Sequence, residues 1–182
     1  MNLPNKLTVL RVLLIPLFVA VLMIGFYGHT VVALAIFIIA SITDWLDGRL
    51  ARKNNLVTNF GKFLDPLADK MLVMSALVCL TYRGWCDPVA VIVILAREFM
   101  VSGLRLVTAG EGVVVAAGIW GKLKTAFTMV AIIGIIVLEM IFDHNGALYL
   151  VEEILVWISV VLTVISGGIY LKEYWSYIDP SK

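Results

Sequence analysis

Charge is scarce in this chain: 15% of its 182 residues are Asp, Glu, Lys or Arg, and 14 basic against 13 acidic side chains leave a formal charge of +1. Those charges sit at the ends of apolar runs rather than in one basic face, so no nucleic-acid partner is expected. Histidine is scarcer still. His29 and His144 both fall in polar turns away from the acids, which leaves imidazole out of a metal site or an acid–base pair. Cys79 and Cys86 lie seven apart without CxxC spacing, so neither a disulfide framework nor a thiolate metal site is expected. Internal repeats and low-complexity tracts are absent. The stretch Ile24-Gly25-Phe26-Tyr27-Gly28-His29 has no small-x-small cleavage pattern, so the first apolar run is expected to be retained as a helix.

What the chain has is hydrocarbon. An apolar content of 62% and a mean hydropathy of +1.01 are too high for a domain whose surface meets water, so an integral membrane protein in contact with lipid is expected. A membrane-crossing helix needs roughly 20 apolar residues. Such runs cover about 6–26, 31–53, 61–82, 86–107, 122–142 and 148–175, giving an all-α single domain of six transmembrane helices over residues 1–182. Pro16 predicts a kink in the first run, or its division into an interfacial piece and a spanning piece. With both termini in the cytoplasm, 13 of the 14 Lys and Arg residues gather on that side and Arg83 alone lies toward the other. Trp85, Trp120, Tyr170, Tyr174, Trp175 and Tyr177 read as an interfacial aromatic belt.

Against this background the stretch from Asp44 to Asp69 stands apart, because it holds Asp44, Asp47, Asp65 and Asp69. One Asp at the centre of a membrane helix costs about 2.5–3.5 kcal/mol, so four together call for a functional role. Asp44 lies eight residues before Arg52, and Asp69 eight after Gly61, which at 1.5 Å per residue is about 12 Å in each helix. All four acids therefore reach a common layer. The i, i+3 spacing of Asp44 and Asp47 and the i, i+4 spacing of Asp65 and Asp69 put each pair on one helix face. Two facing carboxylate pairs make a cation cage. Hard oxygen ligands without His or thiolate select Mg²⁺, Mn²⁺ or Ca²⁺, and a di-metal site of this kind suits a phosphate substrate. Gly48 and Gly61 lie four residues from Asp44 and Asp65 and remove side chains from the same faces, leaving room either for a ligand or for close helix packing.

The run Asp44-x-x-Asp47-Gly48-x-x-Ala51-Arg52, eight residues, then Gly61-x-x-x-Asp65-x-x-x-Asp69 resembles the signature of the CDP-alcohol phosphotransferase family at every signature position. The resemblance implies the membrane fold of that family, a homodimer, and transfer of a phosphoryl-lipid group from a CDP-linked donor to an alcohol with loss of CMP. It implies two divalent cations, Mg²⁺ or Mn²⁺, on Asp44, Asp47, Asp65 and Asp69, with Asp69 also the base that takes the hydroxyl proton. It further implies a cytidine-diphosphate pocket formed by Asp44, Gly48, Ala51, Arg52, Gly61 and Asp65.

Further cations remain. Arg97, Val101 and Arg105 form an i, i+4, i+8 row, Lys122 and Lys124 open the fifth run, and Asn5, Thr8 and Arg11 recur every three residues on one face. These exceed what four metal-bound acids require and point to a second anion, a phosphate on the acceptor, bound by Thr8, Arg11, Arg97, Arg105, Lys122 and Lys124. Asn5-x-x-Thr8-x-x-Arg11, Ala96-Arg97-Glu98-Phe99 through Gly103-Leu104-Arg105, and Gly121-Lys122-x-Lys124-Thr125 resemble the bacterial branch of the family that forms phosphatidylglycerophosphate. That branch implies CDP-diacylglycerol as donor, sn-glycerol 3-phosphate as acceptor and the bacterial cytoplasmic membrane as location. Inositol phosphate, serine or phosphatidylglycerol stay open as acceptors, and a divalent-cation transporter stays open as a different class.

Overall fold

The computed structural model describes residues 2–53, 58–113, 115, 118–142 and 146–177. The expected turns at Asn54-Asn55 and at 143–145, with His144, lie outside the described residues. Six helices stand where six apolar runs are expected: α1 (Leu3–Ile24), α2 (His29–Lys53), α3 (Asn59–Tyr82), α4 (Pro88–Gly110), α5 (Ile119–Phe142) and α6 (Gly146–Tyr174), followed by a short 3₁₀ turn at Trp175–Tyr177. Among the described residues there is no strand. By length and composition three stretches are apolar enough to cross a membrane, Asn5–Ile24, Ile119–Phe142 and Leu148–Tyr177, while His29–Asp44 is a shorter apolar helix. The polar residues explain the difference, since α2 and α3 carry the acids and α4 carries Arg97, Glu98 and Arg105.

The chain divides into two compact units. The first joins Met1–Tyr82 with Ile136–His144. Its α1 begins at Asn2, whose side chain accepts from the Asn5 N–H, and ends at Gly25, whose φ of 70° reverses the chain. Between them the helix runs unbroken through Pro16. Loss of one backbone donor is tolerated there, and the first run is not divided into two pieces. α1 packs on both α2 and α3. Phe18 and Leu22 are fully buried, the Phe18 and Phe37 rings lie 5.7 Å apart, and Ala33, Ala40, Ala68 and Ala76 bury completely. Small side chains at these crossings let backbones approach closely, which is how apolar helices associate where water supplies no drive.

The second unit joins Arg83–Ile135 with Asn145–Lys182. Asp87 caps α4, accepting from the Val89 N–H at 2.7 Å just before Pro88 at the first helical position. The buried residues Ala90, Val91, Ile94, Arg97, Val101, Leu104 and Thr108 recur every three or four positions and form the face that packs on α6. Hydroxyls within the helices bond back to carbonyls one turn earlier: Thr108 to Leu104 at 3.0 Å, Thr128 to Lys124 at 2.8 Å and Ser159 to Leu155 at 3.1 Å. Such bonds let polar side chains lie in apolar helices. Outward faces are apolar, with Leu13, Ile92, Phe99 and Leu150 each more than half exposed. That surface is suited to lipid rather than water.

Two members of the expected aromatic belt belong to the interior instead. Trp85 is 5% exposed, with the Arg83 guanidinium 5.0 Å from its ring centroid, and Tyr170 is 4% exposed. An amphipathic ring goes to an interface only when its polar atom lacks a partner inside, and Tyr170 has partners. Both cysteines are buried and unbridged.

Candidate functional site

In the first unit, helix register decides which polar groups meet. Asp65 and Asp69, one turn apart and half-buried, share a face of α3, and Asp44 lies on α2. α1 supplies donors to both helices. Arg11 Nη1 lies 2.6 Å from Asp44 Oδ1, with the arginine side chain 0% and the aspartate side chain 37% exposed. Thr8 Oγ1 donates to Asp65 Oδ1 at 2.7 Å. One turn back, Thr58 Oγ1 donates to Asn5 Oδ1 and accepts from the Gly61 N–H, both at 3.0 Å, so Thr58 caps α3 while pinning it to α1. A Cβ at Gly61 would lie 3.2 Å from Asn5 Oδ1, 3.4 Å from Thr58 Oγ1 and 3.5 Å from Asp65 Oδ2. Glycine therefore keeps the space beside the Asp65 carboxylate clear.

Asp47, Gly48, Ala51 and Arg52 lie on the last turns of α2, and their side chains are outside the described residues. Among the described residues no three His, Cys, Asp or Glu side chains converge as a metal group. The donor chemistry nevertheless fits a hard divalent cation. Asp44 and Asp65 supply only oxygen, each carboxylate offers about four acceptor positions, and Asp65 gives one of its own to the Thr8 hydroxyl while Asp44 is ion-paired with Arg11. Asp69 follows one turn along the same face.

The second unit gathers cations around one acid and one ring. Arg97 Nη1 lies 2.7 Å from Glu98 Oε1, and Lys124 Nζ pairs with the same oxygen. Arg97 Nη2 donates to Ser166 Oγ at 2.6 Å. Tyr170 lies between two guanidinium groups, 5.6 Å from Arg97 and 5.7 Å from Arg105 to its ring centroid. Its hydroxyl accepts from Arg105 Nη2 at 3.3 Å and from the Gly118 N–H at 2.9 Å. Arg97 and Lys124 are buried, whereas Arg105 and Lys122 are exposed. Arg97, Arg105 and Lys124 outnumber Glu98, so this cluster remains positive and suits an anion, while among the described residues no contact joins Lys122 to it.

The structure thus brings together Asp44 and Asp65 with Thr8 and Arg11 in one unit, and Arg97, Arg105 and Lys124 in the other. Sequence reasoning missed Thr58, the pairing of Lys124 with Glu98, Ser166, and Tyr170 as a partner of the arginines. Thr58 carried a signal, a hydroxyl three residues before Gly61 at a helix start. Ser166 and Tyr170 carried none, because both lie more than 60 residues from the arginines they meet.

The model of the CDP-alcohol phosphatidyltransferase family matches residues 1–165. The chain is 43% identical over 192 aligned positions to the CDP-diacylglycerol–glycerol-3-phosphate 3-phosphatidyltransferase of Bacillus subtilis strain 168, covering 99% of this chain and 98% of that one. It is 42% identical to the protein of the same name from Rickettsia bellii, covering 97% of each. For the Haemophilus influenzae protein of that name the identity is 38%, over 94% of this chain and 92% of the relative. With the acids on α2 and α3 inside the matched stretch and the likeness running almost end to end, the chain belongs to the CDP-alcohol phosphatidyltransferase family, as an all-helical membrane protein.

Proposed function

We propose that the chain transfers the phosphatidyl group of CDP-diacylglycerol to sn-glycerol 3-phosphate, forming phosphatidylglycerophosphate and CMP. The observation that carries this reading is the near full-length similarity to relatives named for that reaction. The contacts of α1 with Asp44 and Asp65, through Arg11 and Thr8, support a site built on those acids. Asp44, Asp47, Asp65 and Asp69 would hold two divalent cations, Mg²⁺ or Mn²⁺, which when bound neutralise charge on the pyrophosphate and the departing CMP. Asp69 takes the proton of the acceptor hydroxyl, whose oxygen bonds to the phosphatidyl phosphorus as the bond to the CMP oxygen breaks. Gly48, Ala51, Arg52 and Gly61 line the cytidine-diphosphate pocket. Arg97, Arg105, Lys122 and Lys124 bind the acceptor phosphate. The same reading places six membrane passes, cytoplasmic termini and a homodimer in the bacterial cytoplasmic membrane, supported by the Lys and Arg distribution and the family resemblance.

The test is CMP release by purified protein given CDP-diacylglycerol and, in parallel, glycerol 3-phosphate, inositol phosphate, serine, phosphatidylglycerol or no acceptor. Release is expected with glycerol 3-phosphate alone, to vanish on chelation and to return with Mg²⁺ or Mn²⁺. Turnover with a different acceptor would reassign the cation cluster, and metal flux into proteoliposomes without nucleotide would favour a transporter.

Gly61 offers a finer check. An added methyl has to displace Asn5 Oδ1 and the Thr58 bond to it, although Ala in place of Gly otherwise gains up to about 1 kcal/mol in a helix. Gly61→Ala is therefore expected to leave the melting temperature within a few degrees of wild type and lower kcat/KM about 10-fold or more by placing a methyl in the space beside Asp65 that the ligand would use. Wild-type kinetics in Gly61→Ala would show that this space is not used.

A further inference from the structure

The stripe Asn5, Thr8 and Arg11 is spaced by three along α1, and each side chain meets a different part of the acid site. Asn5 meets the start of α3 through Thr58, Thr8 meets Asp65, and Arg11 meets Asp44. We propose that Thr8 and Arg11 are positioning residues for the Asp65 and Asp44 carboxylates, so that α1 presets the spacing of the cation ligands, rather than binders of the acceptor phosphate. This inference rests on the proposed reading that those acids hold divalent cations.

Three observations carry it. A threonine hydroxyl has one proton, and that of Thr8 goes to Asp65 Oδ1, so it is not at the same time available to a phosphate oxygen. The Arg11 side chain has no solvent exposure while Asp44 is 37% exposed, so the guanidinium stands behind the carboxylate and an approaching anion meets the acid first. The third is the register of α1, which carries Thr8 and Arg11 three residues apart on one face, so that one rigid helix meets both Asp65 and Asp44. A buried positive charge beside one carboxylate and a buried hydroxyl bonded to the other hold both in place. Partners of this kind orient metal ligands, and their removal typically weakens metal affinity about 10- to 100-fold.

The experiment is Mn²⁺ binding to the purified full-length protein in detergent, followed by the electron paramagnetic resonance signal of free Mn²⁺, for wild type, Thr8→Val, Thr8→Ser and Arg11→Lys. The KM for glycerol 3-phosphate is measured alongside at saturating Mn²⁺. Thr8→Val keeps the shape and loses the donor, so Mn²⁺ binding is expected to weaken about 10- to 100-fold. Thr8→Ser restores the donor and is expected to bind Mn²⁺ like wild type, and it keeps the test open if Thr8→Val does not fold. Arg11→Lys keeps the charge without the guanidinium fork and is expected to bind Mn²⁺ more weakly. The glycerol 3-phosphate KM is expected to stay within about twofold in all three, since positioning acts through the cation ligands. Unchanged Mn²⁺ affinity in Thr8→Val and Arg11→Lys, with or without a raised acceptor KM, would overturn the inference. A weak Thr8→Val not rescued by serine would overturn it as well. A wild-type protein that binds no Mn²⁺ would instead overturn the cation-site reading beneath it.

Discussion

Asp69→Asn is expected to lower kcat for CMP release by about 10²- to 10⁴-fold, the contribution typical of a positioned general base. The substitution preserves shape while removing the negative charge and the ability to accept a proton, so membrane insertion and melting temperature are expected to stay close to wild type. Asp69 lies one turn beyond Asp65 on the same face of α3, half-buried, and Asp65 is itself held by the Thr8 hydroxyl. The loss is expected in kcat more than in the KM for CDP-diacylglycerol, because the proton is transferred as the bond to phosphorus forms. A ligand role adds to the effect, and the two separate by titrating Mn²⁺: excess metal recovers a weakened cation site but not a missing base. Turnover at the wild-type rate in Asp69→Asn would remove the base assignment.

The second large effect is expected at Arg97. Arg97→Met removes a buried guanidinium paired with Glu98 at 2.7 Å and Ser166 at 2.6 Å and stacked over Tyr170. Truncating one partner of a buried charged pair costs about 2–5 kcal/mol, so kcat/KM for glycerol 3-phosphate is expected to fall roughly 30- to several thousand-fold. The loss is expected mainly in the acceptor KM, with the CDP-diacylglycerol KM little changed. Stability suffers too, since Glu98 then depends on Lys124 alone. Arg97→Lys keeps a positive charge without the planar fork and is expected to retain stability while recovering only part of the acceptor affinity. A folded Arg97→Met or Arg97→Lys protein with wild-type acceptor KM would take Arg97 out of the phosphate site.

The helices were legible because a spanning helix and its ends obey local rules. The α2 expectation of 31–53 and the observed His29–Lys53 differ by two residues at one end, and the fourth run, expected at 86–107, is observed as Pro88–Gly110. The acid pairs were legible for the same reason, since i, i+3 and i, i+4 neighbours share a helix face wherever the helix packs. Aromatic residues were the poorest guide. Tyr170 and Tyr174 look alike in the sequence, yet one is buried between two arginines and the other is only partly covered. An aromatic with a polar tip is stable in either setting, and the partner that decides is remote in the chain.

By itself, the sequence determined an all-helical membrane protein with six helices, the family, and the helices that carry the acids and the excess cations. All of these follow from hydrophobic run length, helical period and a motif of fixed spacing. Only the tertiary structure decided the pairing: Arg11 with Asp44, Thr8 with Asp65, Arg97 and Lys124 on one Glu98 oxygen, and Tyr170 between two guanidinium groups. Such pairs join residues up to 73 apart, and their geometry depends on how the helices cross and rotate against one another, which the period of each helix leaves undetermined.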